Sequence, residues 1–198
     1  MNDHGVSVIF RDLLLGVIGI LVLAFFIVLL QVSPKAKDQT AKADPPGNLI
    51  AAITWPAGNN DVDIWIDGPG EPVAIGYSNK SGVLWNLLRD DLGDFPDATP
   101  FNYENAYTRG VVPGDYTINV HCYRCPILPI MVDVEISVNA PMQGKTSTIQ
   151  IASSHVELRR AGQERTALRF TLDANGNADP ASFSTVYKPL RAMKVTPE

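Results

Sequence analysis

Four groups of residues in this 198-residue chain have types and spacings that could do chemistry. The first is Asp12, a lone carboxylate at the head of a long apolar run. Such a group either sits at a membrane interface, favoured by the helix dipole, or faces protein or water inside a bundle and carries a proton. The second is acidic: Asp61 and Asp63 share one face of a predicted strand, and Asp91 and Asp94 lie in a loop with Asp90 and Asp97. Asn102 and Glu104 follow closely. Hard oxygen ligands of this kind suit Ca²⁺ as a cofactor, although the spacing is not that of an EF-hand, and the same acids could be solvated or cap turns. The third is Cys122 and Cys125 in HCYRCP. No βαβ pattern surrounds them, so a local disulfide is expected rather than redox chemistry, with a metal site that includes His121 as the alternative. The fourth is His4 and His155, which have no evident partners. Ser153-Ser154-His155 is no triad without geometry, and nucleophile elbow, phosphate loop and dinucleotide fingerprint are all lacking. Enzyme activity is not expected, and no cofactor beyond Ca²⁺ is implied.

Composition narrows the class. The chain is 45% hydrophobic and 19% charged, which excludes wholesale disorder. Sixteen basic against twenty-one acidic residues give a net charge of −5. With no basic stripe, a nucleic-acid partner is not expected. Two cysteines cannot frame a disulfide-rich mini-protein.

The elements that must position these groups begin with a helix. Residues Leu13 to Leu30 read LLLGVIGILVLAFFIVLL, eighteen in a row without a charged or hydrogen-bonding side chain. That meets the length of a transmembrane span. Counted from Val6, the helix is about 37 Å long, enough to cross with tilt. The run exceeds the h-region of a signal peptide, and no small-x-small site follows, so an uncleaved anchor is expected. Lys35, Lys37 and Lys42 follow it, whereas Arg11 alone precedes it. Read by charge alone, this places the C-terminal part in the cytoplasm. Gly16 and Gly19 allow another helix to approach closely.

The stretch FRDLLLGVIGILVLAFFIVLLQVSP resembles the N-terminal helix of the B-type subunits of proton-driven rotary stators, the MotB, ExbD and TolR proteins. The resemblance covers roughly residues 6–34. It implies a cytoplasmic tail (1–8), a transmembrane helix (9–32) and a C-terminal domain in the periplasm of a bacterium with an inner membrane, against the charge rule. It also implies a homodimer inside a pentamer of a polytopic MotA/ExbB/TolQ-like subunit, a 5:2 assembly in which Asp12 carries the proton. Sodium-driven relatives keep the acid, so the ion stays open. Arg11 departs from the pattern. As the adjacent residue it is not expected on the same helix face, and a pair with Asp12 would oppose proton uptake.

Residues 33–48, SPKAKDQTAKADPPGN, form a polar, proline-bearing linker. Beyond them, residues 49–198 are enough for one core. Period-two alternation marks strands at 49–55, 62–68, 115–123, 130–138, 146–152, 166–172 and 183–189, separated by turns such as Pro113-Gly114-Asp115. Only Gly82–Arg89 hints at a helical period. An antiparallel β-sandwich follows. DVDIWIDGPGE, GYSNKSG, DDLGD, NYENAY and VVPGDYTINVHCY are similar to small β-sandwich domains of secreted and periplasmic proteins. That similarity implies fold and not activity. Nothing resembles the peptidoglycan-binding domain of MotB.

Two functions are therefore expected from this chain. One is a motor B-subunit coupling proton flow to force on a periplasmic partner. The other is a membrane-anchored extracytoplasmic binding module, Ca²⁺-dependent and without a transport role.

Overall fold

The computed structural model describes residues 3–32, 48–93, 101–142 and 145–191. They fall in two compact units, the first ending at Ala43 and the second beginning at Asp44. The predicted linker lies almost wholly outside the described residues.

The first unit is one helix, α1 (Asp3–Val32). Its side chains are described over residues 11–26, four short of the end of the apolar run. Among the described residues no helix is long and apolar enough to cross a membrane. The described part is apolar on every side. Leu13, Ile20, Leu21 and Phe25 are each more than 60% exposed.

The second unit is two antiparallel sheets. One has the order β3 (Trp85–Arg89), β4 (Asn102–Thr108), β1 (Leu49–Trp55), β6 (Ile130–Met142), β7 (Lys145–Leu158); the other has the order β2 (Asp61–Asp67), β5 (Gly114–Arg124), β8 (Glu164–Leu172). Between them lie the alternating apolar residues of facing strands. Leu49, Ala51 and Ile53 meet Ile130, Val132, Val134 and Ile136 on the larger sheet. Val62, Ile64 and Ile66, with Ile118, Val120, Leu168 and Phe170, cover the smaller one. Tyr116 stacks on Phe170 at 5.1 Å and meets Trp85 edge-on at 6.2 Å. The antiparallel two-sheet architecture thus agrees with the sequence pattern.

Three expectations are corrected. Gly82–Arg89 is not helical, because Trp85–Arg89 is an edge strand paired with β4. Asn102–Thr108 is a strand that alternation of apolar residues does not reveal, since its inward positions are Asn102, Glu104, Ala106 and Thr108. Residues 183–189 form no ladder strand, making one bridge through Ser184 to Arg169. Side chains hold this segment instead: Asn119 Nδ2 donates to the Lys188 carbonyl (2.7 Å) and the Lys188 amide to Thr166 Oγ1 (2.9 Å). It therefore covers the outer face of the smaller sheet. With Ala74 and Leu190 packed on Trp65, that outer face is buried as well. This explains why β2 and β5 carry buried polar residues opposite their core face, among them Asp63, Asn119 and His121.

Candidate functional site

Two irregularities in strand pairing, one in each sheet, lie beside the acids. The β2–β5 ladder shifts register between Asp61 and Val62, and the β3–β4 ladder shifts between Leu87 and Arg89. Bulges of this kind re-aim side chains. Asp61 and Asp63 leave β2 on one face, both buried (3% and 2% exposed). Asp90 follows β3 directly, and Glu104 reaches in from β4. Single carboxylate oxygens of Asp63, Asp90 and Glu104 all lie within 4.8 Å of one another. Asp61, Asp63 and Asp90 line a cavity of about 110 Å³, which Tyr77, Leu92 and Tyr123 complete. Tyr77 meets Trp65 and Tyr123 edge-on at 5.5 and 5.4 Å, so the acids sit beneath an aromatic wall.

Each acid is held in place. Asp63 Oδ2 pairs with His121 Nδ1 at 2.7 Å. Glu104 accepts the Ile64 amide (2.7 Å) on one oxygen and the Asp91 amide (3.1 Å) on the other, tying the two sheets together. Asp90 Oδ2 faces Lys80 Nζ at 2.7 Å, and Arg124 stands 4.0 Å from Asp61. Asp61 Oδ1, Asp90 Oδ1 and His121 Nε2 are buried without a hydrogen-bond partner.

Crowding of buried carboxylates raises the cost of their charges. Burial, then the neighbouring Asp63, pushes the Asp61 carboxyl up to about 6, with Arg124 opposing. Burial raises Asp63 despite the His121 hydrogen bond. Burial also holds Glu104 well above the usual range, against its bond from the Ile64 amide. The folded state therefore binds protons that the unfolded chain releases. Stability from these groups is full below their unfolded values near 4 and is lost as pH rises through the folded ones. In the presence of a chelator, the melting temperature is expected to fall between pH 4 and pH 7, the window set by 3.8 and about 6 for Asp61. Differential scanning fluorimetry against pH checks this. A melting temperature that stays level or climbs across the window would mean these carboxyls ionise without penalty.

Of the acids expected to hold Ca²⁺, the structure brings Asp61 and Asp63 together but commits Asp91 elsewhere. Its Oδ2 accepts Arg89 (2.9 Å) and the Tyr103 amide (3.1 Å), and its Oδ1 accepts the Gly93 amide (3.0 Å). Gly93 has φ +77°, and a Cβ there would press on the Asn59–Asn60 backbone. Asp91 thus shapes a turn. Asp94 and Asp97 lie outside the described residues. Asp90 and Glu104 take their places. The arrangement offers only oxygens from its carboxylates, so chemically it suits a hard cation.

The other predicted residues are placed as follows. Cys122 and Cys125 are joined as a disulfide with Cα atoms 5.9 Å apart, which removes them as metal ligands. The bond is local, but it closes no hairpin, because β5 and β6 belong to different sheets. His155 does have a partner, Asp133 Oδ1 at 2.6 Å, in an exposed pair. Arg11 Nε stands 3.8 Å from Asp12 Oδ1, closer than its adjacent position suggested, with both side chains largely exposed. Gly16 and Gly19 have open space around them. Comparison with protein-family models, curated proteins and solved structures returns no match in any of the three.

Proposed function

We propose that this chain is the B-type subunit of an ion-driven membrane motor, with α1 crossing the bacterial inner membrane and Asp12 carrying the ion. The observation that carries the reading is the placement of Asp12. It is the one acid at the head of an eighteen-residue apolar run within a single uninterrupted helix. The described apolar side chains of that helix are exposed all round, and a helix apolar on every face needs apolar surroundings. A lone carboxylate beside such a run is costly in lipid and becomes useful when it faces protein or water. The proposed assembly is a dimer of this chain within a pentamer of a polytopic MotA/ExbB/TolQ-like subunit, the β-sandwich lying in the periplasm and passing force to a partner there. Gly16 and Gly19 are the surface for close helix approach.

Native mass spectrometry of the complex, extracted from its own membranes in mild detergent, tests this. Two copies of this chain with five of a polytopic subunit are expected. A lone chain or dimer in several detergents overturns the motor. That outcome favours a second reading, supported by the acidic cavity: an anchored extracytoplasmic binding module in which the helix is only a tether. In that case a neutral apolar helix replaces α1 without loss of function.

A further inference from the structure

The geometry of the acidic cavity points to a ligand that the motor reading does not require. We propose that Asp61, Asp63 and Asp90, which line the cavity, and Glu104, which brings an oxygen within 4.8 Å of Asp63 and Asp90, bind one Ca²⁺ ion. This goes beyond the motor reading and does not involve Asp12, so either can fail while the other stands.

Three features support the site. The first is convergence. Oxygens of Asp63, Asp90 and Glu104 lie within 4.8 Å of one another, close enough to share one Ca²⁺ at ligand distances of about 2.3–2.6 Å. Mg²⁺ dehydrates reluctantly and is usually held through one or two carboxylates, so a site that gathers three or four suits Ca²⁺ better. Both Asp63 and Glu104 are held in place by their bonds to His121, Ile64 and Asp91.

The second is an oxygen with nothing to bind. Asp61 is 3% exposed, lines the cavity, and its Oδ1 has no hydrogen-bond partner. A buried carboxylate oxygen left without a partner is costly. Asp90 Oδ1 shares that condition. A cation between them satisfies both.

The third is room and charge. A cavity of about 110 Å³ admits an ion and two or three waters, each occupying ~30 Å³ in the liquid. Four carboxylates face few cationic groups. Lys80 touches Asp90, and Arg124 approaches Asp61 while donating to the Leu92 carbonyl (2.8 Å); each is 54% exposed. His121 is engaged by Asp63, and Arg89 by Asp91.

The test uses the full chain in detergent, stripped with chelator and titrated with Ca²⁺ by calorimetry, alongside Asp61→Asn and Asp90→Asn. One Ca²⁺ per chain is expected, with a dissociation constant at or below about 1 mM, the range of extracellular modules. Either variant weakens binding at least tenfold. A hundredfold excess over the dissociation constant raises the melting temperature by about 5–10 °C, and Mg²⁺ at equal concentration does less. Terbium serves as a second readout, since Tyr77 and Tyr123 at the cavity sensitise its emission and Ca²⁺ quenches it by displacement. No heat and no terbium signal at several millimolar ion overturns the site. So does Ca²⁺ binding unchanged in both variants, or Mg²⁺ binding as tightly as Ca²⁺.

Discussion

Asp12→Asn is expected to reduce ion flux to background while the complex still assembles. The substitution preserves size and shape and removes the one property that carriage needs, a group that gains and loses a proton. A single charge moving through 100 mV is worth about 2.3 kcal/mol, so a carrier whose protonation tracks the membrane potential has energy for mechanical work. Asparagine has no such cycle. It also lowers the cost of placing a charge in lipid, about 2.5–3.5 kcal/mol at the bilayer centre and less toward its edge. Insertion and oligomerisation are therefore kept or improved, which separates loss of carriage from loss of the complex. Asp12→Glu retains a carboxylate and is expected to keep part of the flux. Arg11 sharpens the comparison. Its Nε lies 3.8 Å from Asp12 in the structure, with both side chains largely exposed. Arg11→Gln is expected to preserve flux, because it leaves the Asp12 carboxyl group in place. The measurement is ion uptake into vesicles holding this chain and its channel subunit. Wild-type flux in Asp12→Asn would make the residue an ordinary interfacial carboxylate and leave the anchored binding module as the function.

How far such a site could be read from residues alone depends on which face carries the signal. Strands β1, β2, β5, β6, β7 and β8 announce themselves because apolar residues alternate toward the core, as in Ile130, Val132, Val134 and Ile136. Strand β4 obeys the same period with mostly polar residues pointing inward, so alternation of apolar residues predicts no strand around Glu104. Its burial becomes intelligible only when the Ile64 and Asp91 amides are seen to bond it from two sheets. The pair Asp61 and Asp63 was legible because strand geometry puts i and i+2 on one side. Asp90 and Asp91 were not distinguishable, being adjacent acids of which one meets the cavity and the other caps a turn through Gly93. The stretch 183–189 misled for the opposite reason. Its alternation is real, but its backbone is bonded by side chains of β5 and β8 and not by a neighbouring ladder.

The same principle, a carboxylate organising backbone from a distance, gives the largest expected loss of stability. Glu71→Ala is expected to cost about 3–5 kcal/mol. Glu71 follows the turn Gly68-Pro69-Gly70, and its carboxylate is turned inward, the residue being 9% exposed. One oxygen accepts the Leu84 amide (2.7 Å) and the Trp85 amide (2.8 Å), the other the Val83 amide (2.9 Å). Three successive amides at the entry to β3 thus depend on one side chain. Trp85, wholly buried against Tyr116, is set by this clamp. Alanine leaves at least the buried Leu84 and Trp85 donors without an acceptor, and each buried donor so abandoned costs about 1–3 kcal/mol, with bonds to a charged acceptor at the upper end. Water cannot easily substitute at Trp85, which is 0% exposed. Set against a total stability of about 5–15 kcal/mol, this lowers the melting temperature by about 10 °C or more. Glu71→Gln keeps a carbonyl oxygen for Leu84 and Trp85 but turns an amide group toward Val83, whose side chain is exposed. It is expected to lose only about 1–2 kcal/mol, roughly one charge-assisted bond. Gly82→Ala should resemble the larger loss, because a Cβ there would collide with the Glu71 carboxylate. Since β3 leads directly into Asp90, both severe variants should also weaken whatever the acidic cavity holds. Urea unfolding of the three variants with unchanged m-values is the measurement. A Glu71→Ala protein within about 1 kcal/mol of wild type would show that the amides of Val83, Leu84 and Trp85 find other acceptors, and that the loop before β3 is organised by its packing on Trp85 alone.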